Sequence, residues 1–74
     1  MSVTVYTLPA CVQCDSTKRL LTRNDISYNE VDLSKNEDAM AMIRELGYTA
    51  APVVFAGEDH WSGFRPDKLS TIAA

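Results

Sequence analysis

Val3, Val5 and Thr7 are interleaved with Thr4 and Tyr6, the period-two alternation of a half-buried strand. Pro9-Ala10 ends that pattern. A helix is expected from about Cys11 or Val12 to Arg23, with Leu20 and Leu21 facing inward and Asn24-Asp25 stopping it. Ile26 to Leu33 reads as a second strand, with Tyr28, Val31 and Leu33 as its larger apolar members. Ser34 and Glu37 have the spacing of a capping box, a hydroxyl followed three residues later by a glutamate. Ala39, Met42, Ile43 and Leu46 then recur at i, i+3, i+4 and i+7, one buried face of a helix. Gly47 follows as the expected C-terminal cap.

Pro52-Val53-Val54-Phe55-Ala56 is a third, strongly apolar strand. Gly57-Glu58-Asp59 is a turn, and His60-Trp61-Ser62 returns as a short fourth strand. Pro66 suits the first turn of a last helix that carries Leu69 and Ile72 inward. The predicted order is β-α-β-α-β-β-α. The β-α-β start makes the first two strands parallel, and the later hairpin adds antiparallel pairing. The expectation is an α/β fold with a four-stranded mixed sheet and helices on both faces.

The chain has 74 residues, so residues 1–74 are read as a single domain. A domain of this size buries only roughly 60% of the surface its unfolded chain exposes. That leaves no room for a separate substrate domain, and any chemistry must lie near the surface. Apolar residues make up 46% of the chain, enough for one core. A net charge of −3 argues against general nucleic-acid binding, which wants a basic patch. No stretch approaches the length of a membrane span. The start, Met1-Ser2-Val3-Thr4-Val5-Tyr6, has neither the basic residues nor the apolar run of a signal peptide, and a cytoplasmic protein is expected.

That expectation governs the two cysteines, Cys11 and Cys14. In a reducing compartment a cysteine pair tends to be catalytic or metal-binding. Bridging Cys11 to Cys14 closes a loop of only four residues, worth roughly 2 kcal/mol at most, so a bridge for stability would lie elsewhere. Zinc wants four ligands, and two Cys and one His cannot supply them. Carboxylates or a second copy would have to complete the set, and we expect no metal. With Cys11 just before a helix and Cys14 in its first turn, the sulfurs can meet. The positive end of the helix dipole then favours the Cys11 thiolate. Cys11 is expected to be the nucleophile, and Cys14 the more buried and less acidic resolving thiol. No bound cofactor is expected beyond this redox-active disulfide.

The element order, the Cys-x-x-Cys after the first strand and the proline opening the third resemble the thioredoxin fold in its short glutaredoxin form. The motif Cys11-Val12-Gln13-Cys14 and the segment Trp61-Ser62-Gly63-Phe64-Arg65-Pro66-Asp67 resemble the NrdH-redoxin family over essentially the whole chain. That resemblance implies reduction by thioredoxin reductase, drawing on NADPH, and electron delivery to the large subunit of class Ib ribonucleotide reductase for deoxyribonucleotide synthesis. It implies no nucleic-acid or membrane partner, and we expect a monomer. The alternative is a glutathione- or mycothiol-dependent glutaredoxin. Such proteins carry Cys-Pro-Tyr-Cys and a Gly-Gly pair near the last helix, where this chain has Val12-Gln13 and Ser62-Gly63-Phe64-Arg65. Bulky Phe64 and Arg65 disfavour close approach of a peptide-like thiol. A third reading, a metal- or cluster-binding module, stays open at this stage.

The resemblance also implies that Pro52 is a cis-proline facing the cysteines, exposing the backbone of Ala51 to an incoming chain. Leu8, Pro9, Ala10, Val12 and Gln13 are read as lining the docking surface beside Cys11, with Tyr6 as strand packing. Phe64 is the candidate contact for a reductase. Trp61 is read as a partly buried structural residue, and Ser62, Gly63, Arg65, Pro66 and Asp67 as a structural motif in which Arg65 and Asp67 tie the segment to the last helix. Lys18 and Arg19 read as a solvated helix face, His60 as a sheet-edge residue, and Met40 and Met42 as core fillers.

Overall fold

A computed structural model describes residues 2–72 of the chain. The elements are β1 (Val3–Thr7), α1 (Val12–Arg23), β2 (Asn29–Asp32), a short 3-10 turn (Leu33–Lys35), α2 (Glu37–Glu45), β3 (Val53–Ala56), β4 (Asp59–Ser62) and α3 (Pro66–Leu69). The sheet order is β2-β1-β3-β4. β1 runs parallel to β2 and antiparallel to β3, which pairs antiparallel with β4. This is the mixed four-stranded sheet that the pattern predicts.

The alternation along β1 sorts the core into two layers. Val5, Val54 and Trp61 sit opposite one another across three strands. They pack with Leu21 of α1 and Leu69 of α3 on one face. On the other face Val53, Ile43 and Ala39 pack with Leu33, and half-buried Tyr6, Phe55, Met40 and Met42 close around them. Helices therefore cover both faces, with α1 and α3 on one and α2 on the other.

The structure corrects three local expectations. β2 begins at Asn29, not Ile26. Asp25 takes a left-handed backbone (φ +58°), and the Ile26 N–H donates to the Leu21 carbonyl at 2.9 Å. Ile26 thus closes the end of α1 and buries its side chain there, a helix-terminating role. The cap of α2 is Asn36, whose Oδ1 accepts from the Ala39 N–H at 2.9 Å, and not Ser34. Ser34 belongs to the 3-10 turn, where its N–H and hydroxyl both donate to Asp32. Those bonds hold the Asp32 carboxyl below its usual value, the hydroxyl bond chiefly. Asn and Ser are comparable caps, so the residue nearer the helix takes the position. Finally, Leu46 is 46% exposed, because α2 ends at Glu45 and Gly47 (φ +91°) turns the chain away.

Candidate active site

The cysteines lie where β1 hands over to α1. Cys11 is the N-cap of α1, with extended backbone angles and a sulfur that accepts from the Cys14 N–H at 3.1 Å. Cys11 and Cys14 are joined as a disulfide with Cα atoms 5.2 Å apart. The two sulfurs are not equivalent. Cys14 is 1% exposed and faces the interior, whereas Cys11 is half-buried at the rim. One turn further on, Thr17 is fully buried and its hydroxyl donates to the Gln13 carbonyl at 2.9 Å. That bond fixes the first turn of the helix from below.

The approach to Cys11 is made by Pro9 and Ala10, both exposed. Ala10 has φ +56°, a left-handed conformation that strains a residue carrying a Cβ. Val12 stands 79% exposed beside the disulfide. Leu8 is half-buried: it packs against the α2-side core and lines a pocket of about 140 Å³ with Ile43, Tyr48 and Ala51. On the other side of Cys11 the Ala51–Pro52 peptide bond is cis and Pro52 is buried. The Cys11 sulfur is 3.8 Å from the Ala51 carbonyl oxygen. The cysteines and the Pro52 loop, some forty residues apart in sequence, thus share one rim.

The segment after β4 completes the site. Trp61 is 5% exposed and lies in the core, with Lys68 Nζ 5.6 Å above its ring. Its indole N–H has no acceptor among the described residues. The Ser62 hydroxyl donates to the Ala50 carbonyl at 2.9 Å, and the Gly63 N–H to the Pro52 carbonyl at 2.8 Å. The Phe64 N–H donates to Gln13 Oε1 at 3.0 Å, while the Phe64 ring is 37% exposed. Arg65 donates through two nitrogens to Asp67, at 2.8 and 3.1 Å, and Pro66 opens α3. This pairing lowers the Asp67 carboxyl and raises the Arg65 guanidinium, the side-chain hydrogen bond being the largest cause in each.

Among the supporting residues, Lys18 has a defined partner. It donates to Glu30 at 3.1 Å, and this bond raises its ammonium above the ordinary lysine value. Glu30 also accepts from the buried Thr7 hydroxyl at 3.0 Å. Arg19 is exposed and makes no ion pair among the described residues. His60 stacks on Phe55 and meets the Tyr48 hydroxyl at 2.6 Å, an aromatic group on the edge of the sheet. Among the described residues no group of three or more His, Cys, Asp or Glu is placed to hold a metal ion. No described helix is long and apolar enough to cross a membrane. The sequence reading assigned Gln13 to partner binding and missed its bond to Phe64. No local signal points to it, since the two residues lie 51 positions apart.

The family model for glutaredoxin matches residues 3–61. The glutaredoxin-like protein NrdH of Salmonella typhimurium is 40% identical over 72 residues, spanning 97% of this chain and 89% of that one. The chain belongs to the glutaredoxin family, in its NrdH branch. The NrdH protein of Lactococcus lactis subsp. cremoris is 35% identical over 71 residues, spanning 96% of this chain and 99% of its own. The solved structure of NrdH-redoxin from Escherichia coli superposes with a TM-score of 0.97 at 35% identity, covering 100% of this chain and 97% of that one. The fold is accordingly the thioredoxin fold in its NrdH form, and the Cys11–Cys14 pair makes the chain a thiol–disulfide oxidoreductase and glutaredoxin-like redox carrier.

Proposed function

We propose that this NrdH-type redoxin is a cytoplasmic, monomeric electron carrier, reduced by thioredoxin reductase at the expense of NADPH and oxidised by the large subunit of class Ib ribonucleotide reductase. Cys11 and Cys14 are its reacting groups. The observation that carries the reading is the asymmetry of the pair, one sulfur at the rim on a helix N-terminus and the other 1% exposed. The reduced protein presents Cys11 as the thiolate, which attacks one sulfur of a partner disulfide. The partner's S–S bond breaks and its released sulfur takes a proton. Cys14 then gives up its proton and attacks the Cys11 sulfur, breaking the mixed disulfide and releasing the second partner thiol. The partner gains two electrons and two protons, and the chain carries the disulfide away for reduction.

The choice of reductase rests on the loop after β4. Within Ser62–Arg65 the bulky Phe64 and Arg65 are exposed, at the place where the resemblance to glutaredoxins puts the glycine pair that lets a tripeptide thiol lie close. The NrdH-redoxin of Escherichia coli has a thioredoxin-like activity profile, which supports the same choice here. A coupled assay tests it. NADPH consumption with thioredoxin reductase and a disulfide substrate should depend on the redoxin, and glutathione or mycothiol with their own reductases should give little turnover. Turnover confined to the low-molecular-weight thiols would overturn the proposal in favour of an ordinary glutaredoxin.

A further inference from the structure

Ser62, Gly63 and Phe64 bond in two directions at once. Ser62 and Gly63 donate to the carbonyls of Ala50 and Pro52, at 2.9 and 2.8 Å. Phe64, the next residue, donates to Gln13 Oε1 at 3.0 Å. These residues form a strap from the Pro52 loop to the disulfide motif. The strap runs beside the place where the Cys11 sulfur and the Ala51 carbonyl stand 3.8 Å apart. The Pro52 loop with its strap and the Cys11 end of α1 are thus two walls that flank the rim of the disulfide. The orientation of the Gln13 carboxamide is fixed by chemistry, since a backbone N–H needs the oxygen and not the nitrogen. Gly63 passes close beneath it: a Cβ there would sit 3.5 Å from Gln13 Oε1. Among the described residues, the Gln13 bond is the one hydrogen bond that joins the 62–64 strap to α1.

We propose that Gln13 is a positioning residue that sets the gap between the Cys11 rim and the Pro52 loop, and so governs reaction with protein disulfides more than with small ones. Without its acceptor the strap is anchored on one side only. Near-attack geometry tolerates little error, and a misplacement of about 1 Å can cost on the order of 100-fold in rate. A large substrate held by both walls feels that loss. A small aromatic disulfide meets Cys11 at the rim and does not span the gap. The inference concerns the exchange reaction itself and holds whichever reductase serves the protein.

The test compares Gln13→Met, similar in length but without an amide oxygen, with Gln13→Glu, which keeps an acceptor. Pre-reduced protein is mixed in single turnover with insulin and, separately, with dithiobis-nitrobenzoate, and the ratio of the two rates is taken. The ratio cancels any common change in the Cys11 thiolate fraction. Amide hydrogen exchange at Phe64 reports the strap directly. In Gln13→Met the Phe64 amide should lose its protection and the insulin-to-dithiobis-nitrobenzoate ratio should fall at least about five-fold. Gln13→Glu should retain both. The proposal is overturned if Gln13→Met keeps the wild-type ratio, if its ratio falls while Phe64 stays protected, or if Gln13→Glu loses the ratio as well.

Discussion

Replacing Cys14 by serine should stop the reaction half-way and leave the partner covalently attached to Cys11. In the wild type the resolving sulfur is already in place, with the two Cα atoms 5.2 Å apart and the first turn of α1 formed around them. Groups held in good alignment react with effective molarities on the order of 10⁵ M or more. Even discounted to about 1 M, and set against about 1 mM of external thiol, this makes internal resolution about a thousand-fold faster than release by solution thiols. The variant should therefore extend the lifetime of the mixed disulfide by about that factor. Folding should survive. Cys14 is 1% exposed, so serine puts a hydroxyl into a nearly dry site at a cost of about 1–3 kcal/mol, below the margin of about 5–15 kcal/mol typical of native domains. The assay mixes reduced variant with a protein disulfide, blocks free thiols by alkylation and measures intact mass. Cys14→Ser should show the adduct and Cys11→Ser should not, because the remaining sulfur would be buried. Accumulation with Cys11→Ser and none with Cys14→Ser would show that the roles are reversed.

Trp61→Ala should cost about 3–5 kcal/mol in urea unfolding, because the ring fills the α1–α3 side of the core. Trp61→Phe should cost far less, since it keeps an aromatic ring and removes an indole N–H that has no acceptor among the described residues. Equal losses in the two would refute that reading of the ring. Gly47→Ala should lose about 1–2 kcal/mol, because φ is +91° there and no atom lies within 4 Å of an added Cβ, so the backbone alone opposes it. The Asp67 carboxyl is held below its usual value by Arg65, so its contribution is present at neutral pH and is lost as pH falls through the lowered value. Thermal melts of wild type and Asp67→Asn should differ modestly at neutral pH and converge once the carboxylate protonates. A gap that widens in acid would contradict the sign.

Much of the fold is legible because its elements repeat short periods. Val3, Val5 and Thr7 set β1 by alternation, and all three are buried. Pro66 and Leu69 set α3 by local rules that need no knowledge of the sheet. The misreadings fall where two local signals compete. Ile26 alternates with Tyr28 as a strand residue would, yet the turn at Asn24-Asp25 claims it for the end of α1. Ser34 and Asn36 both qualify as caps, and only the sheet-to-helix path decides between them. Leu8, just past the end of β1, packs against the α2-side core and also lines a pocket with Ala51. The site itself divides in the same way. Cys11 and Cys14 announce themselves by spacing. The bond between Gln13 and Phe64 is invisible to any window, since it exists only once β3 and β4 have folded the chain back upon the motif.

The order β2-β1-β3-β4 leaves two outer strands, and each is only four residues long. β2 carries Glu30 and Asp32, and β4 begins with Asp59. Both are too brief to offer a long ladder to a neighbouring molecule, and the Lys18–Glu30 and Lys68–Asp59 pairs put charged side chains along them. An exposed strand edge on any small sheet carries a standing risk of self-association. Here each margin is short and carries an ion pair, two features by which natural sheets discourage pairing edge to edge.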